Sequence, residues 1–287
     1  MTNPDVQHFY HAGTGALSYV ISDPVSRHAA VIDPVLGFSI VSGRTDDTLV
    51  RDIVAYLQEQ DLKLQWILET HAHADHLSAA QHLKAELGGI LGIGEGIRTV
   101  QQHFAGVFNY KAPFRADGHQ FDRLFADREV FALGEMEVRV INTPGHTSDS
   151  VTYLIGETAF VGDSLFMPDF GTARCDFPGG DAGTLYDSIQ KLFALPAETL
   201  LHMCHDYPPE GRGVQFSSTV REQAETNIHV GKGTSREAFI AMREQRDAGL
   251  ALPALLLPSI QINIRAGNLP PPEDNQVSYL KIPLDFM

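Results

Sequence analysis

Four candidate metal donors fall within six residues, in the run His71-Ala72-His73-Ala74-Asp75-His76. The run follows the apolar stretch 64–68 after Glu69 and Thr70. Imidazole and carboxylate together suit Zn, Fe or Mn. A lone histidine is more often an ordinary polar loop residue, but H-x-H-x-D-H concentrates donors far beyond that reading. In an extended segment alternate side chains share a face, so His71, His73 and Asp75 are expected to point together. Asp75 is also a good helix N-cap, and residues 77–87 read as the helix it would start. A first set of donors this dense predicts further ligands downstream.

Three more donors follow, each at the end of a predicted strand. His146 lies in Thr143-Pro144-Gly145-His146-Thr147 after strand 136–142, and Asp163 follows strand 158–161. His205 heads His205-Asp206-Tyr207 after strand 200–203. Taken singly these are a turn histidine, a capping aspartate and a surface histidine. Repetition of one pattern at successive strand ends argues for loops converging at one sheet edge, a common address of α/β active sites. By spacing alone, seven donors suit a pair of metal ions.

The elements that must position these donors can be read in outline. Residues 7–10, 16–22 and 29–33 form short apolar runs broken by Gly13-Thr14-Gly15 and Asp23-Pro24, which predicts an antiparallel meander. Residues 37–44 read as loop. Asp46 or Asp47 caps a helix reaching about Gln60, whose apolar face is Leu49, Val50, Ile53, Val54 and Leu57. A strand at 90–93, a helix at 97–108 and a loop at 110–127 follow. Strands at 129–133, 136–142, 151–155 and 159–161 precede a helix at 181–195 and a strand at 199–203. Strands followed by helix thus recur about 100 residues apart. Two such halves packed sheet on sheet, with helices outside, make a four-layer α/β sandwich. After Pro208 the character changes. Polar helices are expected at 219–230 and 235–249, and short strands at 260–264 and 277–282 in a proline-rich tail. The organisation predicted is a metal-binding domain over 1–210 with an appendage, 211–287, packed on it.

Composition narrows the function classes. Lys and Arg total 21 against 36 Asp and Glu, a formal net charge of −15, which disfavours DNA or RNA as a partner. A local basic pocket for a small anion is still compatible with that charge. The two cysteines, Cys175 and Cys204, make no disulfide framework and fit a reducing compartment. No basic n-region with an apolar h-region opens the chain, and no apolar run reaches the roughly 18 to 20 residues of a membrane span. The expectation is a cytoplasmic protein without membrane association; the oligomeric state is left open, a homodimer included.

The series His71-x-His73-x-Asp75-His76, His146, Asp163, His205 resembles the metallo-β-lactamase superfamily over roughly residues 7–210. Within it, residues 71–80, Gly171-Thr-Ala-Arg-Cys-Asp-Phe177, residues 184–188 and Asn263-Ile-Arg-Ala-Gly267 are similar to persulfide dioxygenases. That resemblance implies an αβ/βα sandwich and one Fe(II) held by His71, His146 and Asp163, a 2-His-1-carboxylate triad with open positions. His73, Asp75, His76 and His205 then orient ligands or bound water. The implied substrates are glutathione persulfide and O2, the products glutathione and sulfite. Because glutathione carries two carboxylates, a cation is expected in its pocket. Arg174 is the first candidate, followed by Arg212 and Arg265, with Tyr207 as a hydrogen-bonding partner. The rival expectation is a thioester hydrolase with two Zn ions, similar to glyoxalase II, in which Asp163 bridges and His205 binds the second ion. Against that rival, Leu77-Ser78 stands where Gly-Gly commonly follows the hydrolase motif.

Overall fold

The computed structural model describes residues 3–285. β1 (Asp5–His11), β2 (Ala16–Ser22) and β3 (His28–Ile32) form the expected antiparallel meander. In β2, Leu17, Tyr19 and Ile21 face one core and Val20 the other; in β3, Ala30 and Ile32 oppose Ala29 and Val31. Strands buried on both faces in this way must lie between two layers. β4 (Val35–Ser39), β5 (Arg44–Asp46) and α1 (Thr48–Glu59) then lead to β6 (Lys63–Leu68), which pairs parallel to β3. β7 (Leu77–Ser78) and α2 (Ala80–Leu87) cross over to β8 (Ile90–Gly94), parallel to β6. α3 (Ile97–Val107) crosses to β9 (Arg123–Phe125), completing a sheet of order β1-β2-β3-β6-β8-β9.

The second sheet begins with an antiparallel meander of β10 (Val130–Leu133), β11 (Met136–Asn142), β12 (Val151–Ile155) and β13 (Thr158–Phe160). α4 (Ala182–Phe193) follows, capped by the Asp181 side chain accepting from the Thr184 N–H. It crosses to β14 (Leu200–His202), parallel to β13, and β15 (Ser217–Thr219) closes the sheet. α5 (Val220–Thr226), α6 (Arg236–Asp247) and α7 (Leu256–Asn263) complete the described elements.

Three cores separate four layers. Tyr19, Trp66 and Leu68 meet Val138, Val140 and Tyr153 between the sheets. Val31, Ile67 and Leu91 pack outward on Ile53, Leu57, Leu83 and Phe104 of α1, α2 and α3. Ala159 and Leu201 pack on Leu185 and Ile189 of α4 and on Phe239 of α6. The fold is therefore the expected four-layer αβ/βα sandwich. No helix among the described residues is long and apolar enough to cross a membrane.

Several local expectations are overturned. Residues 37–44 are not one loop, because β4 and β5 pair as a hairpin. β9 lies inside the stretch read as loop from 110 to 127. Asp75 does not cap α2. Leu77 and Ser78 pair with β4 instead, and α2 starts at Ala80, whose N–H finds the Ser78 hydroxyl at 3.1 Å. Residues 260–264 belong largely to α7 rather than to a strand. The alternation Ile260-Gln-Ile-Asn-Ile264 misleads because this helix is buried nearly all round, its Gln261 and Asn263 included. No strand forms at 277–282. Nor is α6 simply an exposed polar helix, since Phe239, Arg243 and Asp247 form a buried stripe.

Candidate metal centre

The seven donors come from loops at one edge of the two sheets. The loop after β6 carries His71 to His76, the turn after β11 carries His146, and the turns after β13 and β14 carry Asp163 and His205. Two glycines make the approach feasible. Gly145 has φ +137°, and an added Cβ would lie 2.3 Å from the Leu185 backbone; Gly162, at φ +53°, sits against Thr70. Each directly precedes a donor.

The donors do not share one face of an extended segment, as the alternation suggested. The loop splits them: His71 joins His146 and Asp163, whereas His73, Asp75 and His76 gather with His205. All are buried except Asp75, which is partly so.

Hydrogen bonds define the lone pairs of the first set. Thr70 Oγ1 donates its one proton to Asp33 Oδ2 (2.8 Å), so at 3.0 Å from His71 Nδ1 it can only accept. His146 Nδ1 lies 2.7 Å from the Arg174 carbonyl, which also only accepts. Both rings therefore carry hydrogen on Nδ1. Burial and the neighbouring imidazoles hold His71 well below its ordinary value, so it is neutral. Its Nε2 and that of His146 lie 3.9 and 3.5 Å from Asp163 Oδ2. Lone pairs and a carboxylate oxygen thus face each other.

The second set has a similar character. His76 Nδ1 faces the Leu77 carbonyl at 3.2 Å, which leaves its Nε2 free. His205 Nε2 lies 3.2 Å from Asp75 Oδ2 and 3.5 Å from Asp163 Oδ1. Burial would raise the Asp75 carboxyl, but His205, His76 and His73 outweigh it and hold it at about 2. His73 Nε2 lies 3.0 Å from Asp33 Oδ1 and 3.6 Å from Glu69 Oε2, an environment that favours its charged form.

His71 Nε2, His76 Nε2, His205 Nε2, Asp75 Oδ2 and Asp163 Oδ1 are shut from solvent without a hydrogen-bond partner. Leaving buried acceptors unpaired costs roughly 1 to 3 kcal/mol each, and a cation among them removes that cost. The His/Asp cluster fits a bound metal ion.

A cavity of about 310 Å³ opens over the donors, lined by Asp75, His146, Asp163, Phe166, Phe170, Phe177, Tyr207 and the α6 residues Arg243 and Arg246. The expected substrate residues fare differently. Tyr207 lines the cavity and stacks parallel on His205, ring centroids 5.6 Å apart. Arg174 lines it too, but its Nε and NH2 bond Asp176, both at 2.6 Å, and NH1 bonds the Ala251 carbonyl. Arg212 lies between Asp206 and Asp169 and does not line this cavity. Arg265 is elsewhere, its guanidinium 4.4 Å from the Tyr110 ring centre and 4.7 Å from that of Phe114. Arg243 is buried against Asp247. Arg246, exposed on the last turn of α6, is the lining cation with no carboxylate partner among the described residues.

Sequence reasoning did not single out Arg246 or Asp33, and it quoted Asn263 only within the segment Asn263–Gly267, without its bonds to the donor loop. Asp33 had a usable signal of its own, a carboxylate at a strand end followed by Pro34. The cysteines are buried, and burial pushes the Cys175 thiol up to about 12 and Cys204 well above its ordinary value. Neither thiol should react with Ellman's reagent in the native protein, and both should in guanidinium. Fast native labelling of Cys175 would contradict this environment.

The superfamily description "Metallo-beta-lactamase superfamily" matches residues 11–205. The chain belongs to the metallo-beta-lactamase superfamily. It is 48% identical to a probable metallo-hydrolase of Burkholderia pseudomallei, over 98% of this chain and 99% of the relative. It is also 48% identical to glyoxylase B2 of Dictyostelium discoideum, covering 93% and 92%. The mitochondrial persulfide dioxygenase ETHE1 of Mus musculus is 30% identical over 89% of this chain and 85% of that one. Among solved structures, ETHE1 from Myxococcus xanthus superimposes with a TM-score of 0.73 at 29% identity, covering 92% of this chain and all of that one.

Proposed function

We propose that this superfamily member is a persulfide dioxygenase that converts glutathione persulfide, O2 and water to glutathione and sulfite. The observation that carries the reading is the convergence of two Nε2 lone pairs and one carboxylate oxygen, from His71, His146 and Asp163. This is a 2-His-1-carboxylate set, the donor type of non-haem Fe(II) oxygenases. Such an ion supplies, when bound, a place where an anionic sulfur and O2 can react side by side. The chain's own residues do the rest. Thr70 and the Arg174 carbonyl hold the two ring tautomers. Phe166, Phe170 and Phe177 line the cavity and keep water away from the sulfur. His73, Asp75, His76 and His205 orient groups around the ion. The similarity to ETHE1 over most of both chains supports the same reading.

A second reading has one observation in its favour. Asp163 turns Oδ2 toward His71 and His146 and Oδ1 toward His205, as a carboxylate bridging two ions would. The site would then be a two-zinc thioester hydrolase, in keeping with the names of the 48% relatives. Metal analysis with oxygen uptake decides. About one Fe per chain and O2 consumption with glutathione persulfide are expected. Two tightly held Zn ions and turnover of a glutathione thioester instead would overturn the dioxygenase.

We place the glutathione carboxylate at Arg246 rather than at Arg174, although both line the cavity. Arg174 is committed to Asp176, whereas Arg246 is free to accept an anion. Arg246→Ala should raise KM about tenfold with little change in kcat, the lower end for a charge-assisted bond because Arg246 is exposed. Arg174→Ala should chiefly lower the melting temperature. The reverse outcome, with KM following Arg174 alone, would restore the original assignment.

A further inference from the structure

From His71 to His76 the donor loop has no strand or helix pairing, so its carbonyls need partners from elsewhere. α7 supplies them, from beyond the residues that match the superfamily description. Asn263 Nδ2 donates to the His73 carbonyl at 2.7 Å and to the His76 carbonyl at 2.8 Å. Its Oδ1 accepts from the Ser78 N–H at 2.8 Å. Every polar group of one amide is used, and the residue is only 4% exposed. The network also defines which end of the amide is which, because two carbonyls can only accept and one N–H can only donate. The stretch bridged by Nδ2 begins and ends at donor residues and contains Asp75.

We infer that Asn263 is the positioning residue of the metal loop, holding the backbone of His73 and His76 so that the donor rings are aimed before an ion arrives. The inference rests on the reading of this loop as metal-binding but on neither proposed reaction. The competing role is to pin α7 to the body of the protein. α7 and the turn after it have other anchors: Gln81 Nε2 to the Ala266 carbonyl, Gln101 Nε2 to the Ile264 carbonyl, both at 2.8 Å, and the buried Ile260 and Ile262. Loss of Asn263 alone should therefore leave α7 docked while the donor loop loses its brace.

The test uses Zn(II), which both donor sets suit, in chelator competition with the full-length protein. Asn263→Asp keeps the shape and the acceptor for Ser78 but replaces the NH2 group, donor of both bonds, with an oxygen that can only face the two carbonyls as an acceptor. It should raise the Zn(II) dissociation constant about 10- to 100-fold, the range for groups that orient ligands. Gln81→Ala, which loosens the α7 end without touching the donor loop, should leave that constant unchanged. A constant for Asn263→Asp within twofold of wild type would overturn the inference, as would an equal rise in Gln81→Ala. Should Asn263→Asp fail to fold, Asn263→Ser is judged by the same criterion. Absence of O2 uptake would refute the dioxygenase reading and leave this result standing, because the titration involves no turnover.

Discussion

Asp163→Ala should abolish metal binding and activity together while leaving the metal-free protein as stable as metal-free wild type, or more so. Asp163 presents one oxygen to His71 and His146 and the other to His205, and Oδ1 has no hydrogen-bond donor. In the metal-free protein this buried carboxylate faces lone pairs, so its removal relieves an uncompensated group. With an ion bound, the same oxygens would be the anionic part of the donor set. Metal content should fall below about a tenth of wild type, and turnover at least about a thousandfold, over 4 kcal/mol at 1.4 kcal/mol per decade. Metal analysis and melting of the metal-free forms measure the two halves. A destabilised metal-free variant that still holds its ion would contradict the assignment. His73→Ala provides the contrast: with one ion at the first set it retains much of its metal, whereas with two ions it loses about half.

Asp33→Asn should be the most destabilising conservative change near the site, costing about 3 to 5 kcal/mol, the range for breaking a buried charge from its partners. Asp33 is 2% exposed. It accepts from the Thr70 N–H at 2.7 Å and hydroxyl at 2.8 Å and lies 3.0 Å from His73 Nε2. Its φ of +49° is tolerated by Asn, so the substitution tests charge and acceptors rather than backbone strain. An amide offers one acceptor where Thr70 needs two, and the hydroxyl that fixes the His71 tautomer is released. At 2 to 4 °C per kcal/mol the melting temperature should fall roughly 6 to 20 °C. The pH dependence has a definite sign. Burial raises the Asp33 carboxyl, but His73 and the Thr70 bonds outweigh it and hold it below the ordinary carboxylate value. A depressed pKa contributes stability that is present above about pH 4 and is lost as pH falls through the folded value. Asp75, held at about 2, loses its share in the same acid window. The Asn variant should therefore show a flatter acid limb as well as a lower melting temperature. Wild-type stability at neutral pH would show that Asp33 is dispensable.

The sequence alone determined the sandwich and pointed to the seven candidate donors. Both rest on local rules: alternation every second residue marks strands, and a Gly or Pro turn after a strand places the next polar side chain at the sheet edge. His146, Asp163 and His205 were legible for that reason. Where locality ended, the reading failed. Asp75 looked like a helix cap because capping is judged from neighbours, yet its carboxylate meets His205, 130 positions along the chain. Residues 260–264 looked like a strand because alternation cannot register that a helix is buried on every side. Only the tertiary structure divided the histidine loop into two donor sets and showed which nitrogen of His71 and His146 keeps its lone pair. It alone neutralised Arg174 and Arg212 with carboxylates and brought Asn263 beneath the loop. Each of these depends on a hydrogen bond or ion pair. Such contacts act over about 3 Å in space, and spacing along the chain does not specify which distant groups will come that close.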